Sequence, residues 1–301
     1  MTDDRYIVTC DRGERSQNRV YESECKAVKM ELEDLPEDIQ EEVLLRLDLE
    51  SIEQAHNVSC GWRNIVFSSV FWKRKLHYHN IKLPSSFLHN KELDWRVYYS
   101  VLSHYLHNAT VPYDRNLLRN GSGEMEENNS VQLSQGNRNE EDFDEDWFKH
   151  WFIWSSSGQG WRLFREGESS YFATSSISCS KMQVVSLVEA GVDPVVLDEY
   201  QPDISVGEEY SSPGRGATYE LKVDLLDGEG NVVREHSERH NLPPGAGTEW
   251  RRAEHVFTEY GAGVRGVRLY HGGFGGGEGW WGTRMRGAGV MVTFPQTRRQ
   301  P

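Results

Sequence analysis

Cysteine is scarce in this sequence. Four occur in 301 residues, at Cys10, Cys25, Cys60 and Cys179, and no pair has CxxC spacing. That excludes a disulfide framework and a thiolate metal site of the usual spacing. Long apolar runs are also missing. No segment approaches the roughly 18 consecutive apolar residues of a membrane helix. The opening Met1-Thr2-Asp3-Asp4-Arg5 has nothing of a signal peptide. The expected setting is reducing and cytoplasmic, without a membrane span. Positive charge is in deficit, with 33 Lys and Arg against 47 Asp and Glu, a net charge of −14. Nucleic acid is therefore not an expected partner, because the phosphate backbone needs clustered cations. The signatures of catalysis are missing too: no GxSxG elbow, no HExxH pair, no phosphate loop ending in Lys-Ser/Thr. No cofactor and no resident metal are expected.

What is present begins at Leu32. Asp34 reads as a helix N-cap, with Glu37 at the reciprocal capping position and Pro36 in the first turn. Ile39, Val43, Leu44 and Leu47 then recur along one helical face. Ser51 reads as the start of a second helix, with Gln54 three residues on and Ile52, Ala55 and Val58 on one side. A third segment carries Trp62, Ile65 and Val66, and a fourth ends in Val70-Phe71-Trp72. So much apolar surface exceeds what three small helices can cover, which predicts a protein interface.

Residues 1–30 are polar and aperiodic and read as disordered. From 91 to 107, Leu93, Trp95, Tyr98, Tyr99, Leu102, Tyr105 and Leu106 crowd one broad helical face, expected to stiffen a linker over 79–114. Between Gly121 and Asp146 lie nine acidic residues against Arg138. Such a block reads as a solvated insert, with an acidic docking tail as the alternative.

From Trp147 the pattern has the period of strands. Tyr219, Leu221, Val223 and Leu225 alternate with polar residues, Asp227-Gly228 to Asn231 is turn chemistry, and Val232-Val233 resumes. Further strands are expected at Trp161–Arg165, Lys181–Val188, Trp250–Phe257, Val264–Tyr270 and Gly289–Phe294. Short Gly- and Pro-rich turns between them leave no room for ordinary helices. That is an antiparallel β-sandwich or jelly roll.

Two sets of motifs carry a family resemblance. Leu35-Pro36-Glu37, the face from Ile39 to Leu47, Val58-Ser59, Trp62-Arg63 and Trp72-Lys73 resemble an F-box, over 31–78. Asn116 to Asn120, Gly160-Trp161-Arg162, Tyr171 to Ser175, Cys179 to Gln183, Gln201 to Ile204, Tyr260 to Arg265, His271-Gly272-Gly273 and Trp281-Gly282 resemble the F-box-associated domain, over 115–296 with the acidic insert at 121–146. The resemblance implies an α+β multidomain chain. A three-helix F-box is followed by a helical linker and a galactose-binding-like β-sandwich, with a short tail at 297–301. It implies a non-catalytic receptor of a Skp–cullin–F-box ubiquitin ligase. Leu35, Pro36, Ile39, Val43, Leu44, Leu47, Ile52, Val58, Trp62 and Trp72 are its candidates for binding the Skp adaptor and, through it, the cullin and RING core.

The family grips sugars with loops at one end of the sandwich, using a Tyr-Trp-Lys run after His-Gly-Gly. Here that run is absent. His271-Gly272-Gly273 leads into Phe274 and three glycines, then Glu278 and Gly279-Trp280-Trp281-Gly282. Phe274, Glu278 and Trp280 are the candidate glycan or cargo residues. The three glycines make the loop costly to order. The implied cargo is an N-glycosylated, misfolded glycoprotein or a protein degron; a lectin-like scaffold acting without the ligase stays open, and so does a β-sandwich hydrolase. Two other motifs have ordinary readings. Gly261 to Gly266 matches GxGxxG, but a strand follows it, so the glycines make a turn. His236 and His240 read as a solvated pair.

Overall fold

The structure is a computed structural model that describes residues 34–89, 93–123, 149–167, 169–276 and 281–295. The expected disorder of 1–30, most of the acidic insert, Glu278, Trp280 and the tail lie outside these residues. The chain divides into two compact units, with the boundary between Lys82 and Leu83.

The first unit holds four short helices, α1 (Glu37–Arg46), α2 (Leu49–Ala55), α3 (Cys60–Val66) and α4 (Ser69–Tyr78). The fourth is the segment that ends in Trp72 in the sequence pattern. Both expected capping boxes are displaced. Helix α1 starts after Pro36, whose carbonyl accepts from Ile39 and Gln40, so Asp34 is too far upstream to cap it. The ring presets φ and Pro36 has no N–H of its own to satisfy. Helix α2 is capped by Asp48, which accepts from the Ser51 backbone N–H at 2.8 Å. Those backbone and side-chain hydrogen bonds from Ser51 hold the Asp48 carboxyl below its ordinary range. Ser51 is thus the donor at the third helical position, and the cap itself is Asp48. Ser59 caps α3 in the same way through Trp62 N–H.

The core of this unit is Leu44, Leu45, Ile52, Trp62, Ile65, Phe71, Trp72 and Leu76. Trp72 meets Phe71 edge to face at 5.3 Å and donates its indole N–H to the Val66 carbonyl at 2.7 Å. Lys75 is buried, and its ammonium donates to the carbonyls of Leu45 (2.6 Å) and Leu47 (2.5 Å). It satisfies carbonyls that the end of α1 leaves without helical partners. Burial lowers the Lys75 pKa.

The second unit begins with α5 (Ser85–His89) and α6 (Trp95–Asn108) and continues as ten strands among the described residues. Helix α6, expected as a stiffener of the linker, belongs to this unit. Phe87 packs edge-on to Tyr98, Tyr113 and Phe294, and Arg96 pairs with Glu199 at 2.7 Å. The strands are β1 (Phe152–Ser156), β2 (Trp161–Glu166), β3 (Ser169–Thr174), β4 (Cys179–Ser186), β5 (Asp203–Ser211), β6 (Ala217–Leu226), β7 (Val232–Leu242), β8 (Arg251–Phe257), β9 (Gly266–Phe274) and β10 (Arg284–Thr293). They form two five-stranded sheets, β1-β4-β9-β6-β7 and β2-β3-β10-β5-β8, paired antiparallel throughout. The alternating run of β6 buries Tyr219, Leu221, Val223 and Leu225 between the sheets, as expected. The β6–β7 turn falls at Asp227–Asn231, where Asp227 accepts backbone N–H bonds from Glu229 and Asn231. Gly261 and Gly263 have positive φ in a turn before β9, which agrees with the ordinary reading of that motif.

Candidate functional site

In the helical unit, the adaptor candidates separate by burial. Leu44, Ile52, Trp62 and Trp72 are core side chains, and their apolar area is spent inside the unit. Pro36, Ile39 and Val58 are exposed, and Leu35, Val43 and Leu47 are half-buried. Ile39 is 44% exposed and Val70 64%, and Phe67 and Tyr78 also face outward. Phe67 and Tyr78 are outward apolar groups that the sequence pattern did not single out, and Val70, read there as part of the apolar set, faces outward rather than into the core. A finished core with large apolar groups left outside is the pattern of a docking surface.

In the sandwich, Phe274 is the last residue of β9 and pairs with Thr218 of β6. The Arg239 guanidinium lies 5.5 Å from the centre of its ring. Gly275 and Gly276 have φ of 149° and 56°. A Cβ on either would run into the backbone of Arg215, Gly216 or Ala217. These two glycines are therefore closely packed against the segment that enters β6, not simply loose. Trp281, on the far side of the loop, is exposed, with the Arg215 guanidinium 4.5 Å from its ring centre. Gly282 is needed for close approach, since a side chain there would strike Thr174. Phe274 and Trp281 thus flank the Arg215–Ala217 segment, while Glu278 and Trp280 lie outside the described residues.

The His-Gly-Gly motif has a structural cause. His271 is buried, its Nδ1 2.5 Å from Oε2 of Glu208, and Tyr219 donates to Oε1 of the same carboxylate at 2.6 Å. The Trp151 ring stacks on the imidazole at 4.5 Å. Burial lowers the His271 pKa, against the opposing charge of Glu208. Gly272 and Gly273 lie where a Cβ would meet the carbonyl oxygens of Cys179 and Thr218. Cys179 is a buried free thiol, and Lys181 is buried with its ammonium 4.1 Å from the Trp151 ring centre. Sequence reasoning missed Glu208. Its signal was weak: an acidic residue at an inward position of β5, a strand that was itself not foreseen.

The histidine pair, expected to be solvated, is half-covered. His236, Glu238 and His240 share the half-covered side of β7. The His236 ring stacks on His255 of β8 at 3.8 Å, and His240 pairs with Glu238 at 2.8 Å. Burial and then the His236 charge lower the His255 pKa. Among the described residues, no group of three or more His, Cys, Asp or Glu side chains could hold a metal. Among them also, no helix is long and apolar enough to cross a membrane.

The chain joins a capped helical unit with exposed apolar groups to an antiparallel β-sandwich of two five-stranded sheets. Family models agree: the F-box domain matches residues 32–74 and the F-box associated region matches 109–292. The chain belongs to the F-box proteins that carry an F-box associated region. F-box only protein 2 of Bos taurus is 29% identical over 281 residues, covering 87% of this chain and 84% of that protein. F-box only protein 6 of Homo sapiens is 28% identical over 290 residues, covering 91% and 88%. F-box only protein 44 of Homo sapiens is 26% identical, covering 88% and 97%.

Proposed function

We propose that this chain is the substrate-recognition subunit of a Skp–cullin–F-box ubiquitin ligase in the cytoplasm. The 34–82 unit docks on the Skp adaptor, and through it on the cullin and RING core. The sandwich presents cargo. The observation that carries this reading is the pairing of a complete small core with exposed Ile39, Val58 and Val70 on a unit matching the F-box domain. The chain itself performs no bond chemistry. It acts by proximity, raising the effective concentration of a substrate lysine near the charged conjugating enzyme. The test is co-purification of the Skp adaptor with the full chain. Leu35→Asp, Pro36→Ala and Ile39→Ala should each reduce it without changing the melting of the sandwich. Unchanged co-purification in all three sinks the reading.

The cargo we propose is N-glycosylated, misfolded protein bound for ER-associated degradation, met at the Phe274 end of the sandwich. The exposed Trp281 beside Arg215 and the half-buried Phe274 beside Arg239 support this, because aromatic faces pack on pyranose C–H groups. Calorimetric titration with a high-mannose glycan carrying its inner chitobiose tests it; no heat at millimolar ligand points to a protein degron. A second reading is a lectin-like scaffold without the ligase, favoured by adaptor binding with no ubiquitination of bound cargo.

A further inference from the structure

Beside the C-terminal end of α6 lies a cleft of about 570 Å³ that neither proposed role uses. Its walls come from three parts of the second unit: His104 and Asn108 of α6, the segment from Thr110 to Arg119, and β4 from Gln183 to Ser186. Arg115, Arg119, His104 and His150 line it, against Glu189 as the one acid of the lining. In a chain of net charge −14 that is a local reversal of sign.

The two arginines are held in place but not neutralised. The Arg119 backbone N–H donates to the Gln183 side-chain oxygen at 2.9 Å, and the Gln183 amide donates back to the Arg119 carbonyl at 2.9 Å. This reciprocal pair fixes the Arg119 backbone on β4. Arg115 donates through Nε to the Val111 carbonyl at 2.8 Å. Among the described residues, neither guanidinium has a carboxylate partner, whereas Arg265 and Arg268 of the same unit each hold one at 2.8 Å. The cations of the cleft also act on one another. Burial, and then the Arg119 charge, lowers the Arg115 pKa. Burial, and then the Arg115 charge, lowers that of His104. Like charges gathered in one cleft repel, and an anion bound there relieves that repulsion.

The occupant follows from where the chain leaves the cleft and returns. Asn120 donates to the Lys149 carbonyl at 3.0 Å, and Trp151 donates its indole N–H to the Asn120 carbonyl at 2.8 Å. The acidic insert therefore begins next to Arg119 and ends next to His150, both lining residues. Six of its acids fall in Glu140-Glu141-Asp142-Phe143-Asp144-Glu145-Asp146, which lies outside the described residues. Asp146 is three residues from Lys149 and Glu140 is nine. A chain of those lengths reaches at most about 11 Å and about 32 Å. Tethering at such range gives the carboxylates an effective concentration on the order of 1 mM at the cleft, and guanidinium takes carboxylate through two parallel bonds. A free acidic partner lacks the tether and is repelled by the insert's own charge.

We propose that this cleft is the docking site of the chain's own acidic segment 140–146, whose carboxylates pair with Arg115 and Arg119. The contact stands whether or not the ligase reading holds. An acidic segment of another protein reaches the cleft only by displacing it.

The test compares the full chain with a full-length variant neutralised by Glu140→Gln, Glu141→Gln, Asp142→Asn, Asp144→Asn, Glu145→Gln and Asp146→Asn. Phenylglyoxal, an uncharged arginine reagent, reads the cover over each guanidinium by mass mapping. A tethered partner at about 1 mM, whose free peptide binds with Kd of about 0.2 mM, protects roughly sixfold. Arg115 and Arg119 should react more slowly in the parent by about that factor, and the difference should vanish at about 1 M salt. Arg251, exposed on β8, should react alike in both. A labelled peptide of residues 139–147 should bind the neutralised chain, and Arg115→Gln with Arg119→Gln should weaken that binding by about tenfold. Melting curves matching the parent establish that the variants fold. Equal reaction of Arg115 and Arg119 in the parent and the neutralised chain overturns the proposal. So does peptide binding that survives the double arginine change, which puts the segment elsewhere.

Discussion

His271 and Glu208 form a buried pair, Nδ1 to Oε2 at 2.5 Å, with both side chains fully enclosed between the sheets. Tyr219 completes the carboxylate's shell from β6. Removing one partner leaves the other buried without its hydrogen bond. Glu208→Ala should destabilise the sandwich by about 3–5 kcal/mol, read by chemical denaturation. His271→Ala with Glu208→Leu together should cost less than the sum of the single changes, because imidazole and carboxylate leave together and only the Tyr219 hydroxyl loses its acceptor.

The same histidine makes stability pH-dependent. Its folded pKa is lowered, first by burial, below the ordinary value of about 6.5. Between those two values the unfolded chain binds the proton and the folded chain does not. The contribution is therefore fully present above about pH 6.5 and is lost as pH falls towards the lowered folded value. His255, lowered by burial and by His236, acts in the same direction. The melting temperature should drop on acidification from pH 7 to 5, and His255→Gln should flatten that slope. An unchanged slope in the variant would remove His255 from the account.

Burial separates two kinds of adaptor-face variant. Leu44→Ala empties a fully buried site and should cost about 2–5 kcal/mol. Adaptor binding would then fall because the helical unit melts. Ile39→Ala, at an exposed position, should change stability by no more than about 0.5 kcal/mol and still weaken binding. Circular dichroism melts of residues 31–82, beside adaptor pull-down, tell the two apart.

Lys75 fastens α4 to the end of α1 through the carbonyls of Leu45 and Leu47. Lys75→Met keeps most of the stem's packing and removes both bonds. The expected loss is about 1–3 kcal/mol, confined to the helical unit. A melt unaltered by this change would show that water replaces the ammonium without loss.

Gly272 packs against the Cys179 carbonyl, so Gly272→Ala should force β4 and β9 apart and cost about 1–3 kcal/mol. Gly228, in the β6–β7 turn, would place a Cβ at ordinary contact distance, 3.8 Å, from the Arg265 side chain and serves as the neutral control. Equal stability of the two variants would show that the sheet yields freely.

Much of this molecule was legible in its residues, because local spacing dictates local structure. The alternation of Tyr219 to Leu225 named β6 and its buried face, and Asp227 to Asn231 named the turn after it. The period from Ile39 to Leu47 named α1, but not where the helix starts. That depends on Pro36, and the next cap fell to Asp48 instead of Ser51. Strands β1, β3 and β5 passed unseen: β1 is a short edge strand with no clean alternation, β3 buries four successive residues and so has no alternation either, and β5 mixes glycine and paired glutamates.

What the sequence alone determined is the architecture, helices with an apolar face followed by antiparallel strands, and the motifs that mark its family. Only the tertiary structure decided which apolar residues are core and which face outward, because one helical stripe supplies both Leu44 and Ile39. Only the packing of β4 beside the 110–119 segment brought Gln183 and Glu189 into one cleft with Arg115 and Arg119. They come from parts distant in the chain, and nothing in the spacing of residues along it encodes which parts lie side by side.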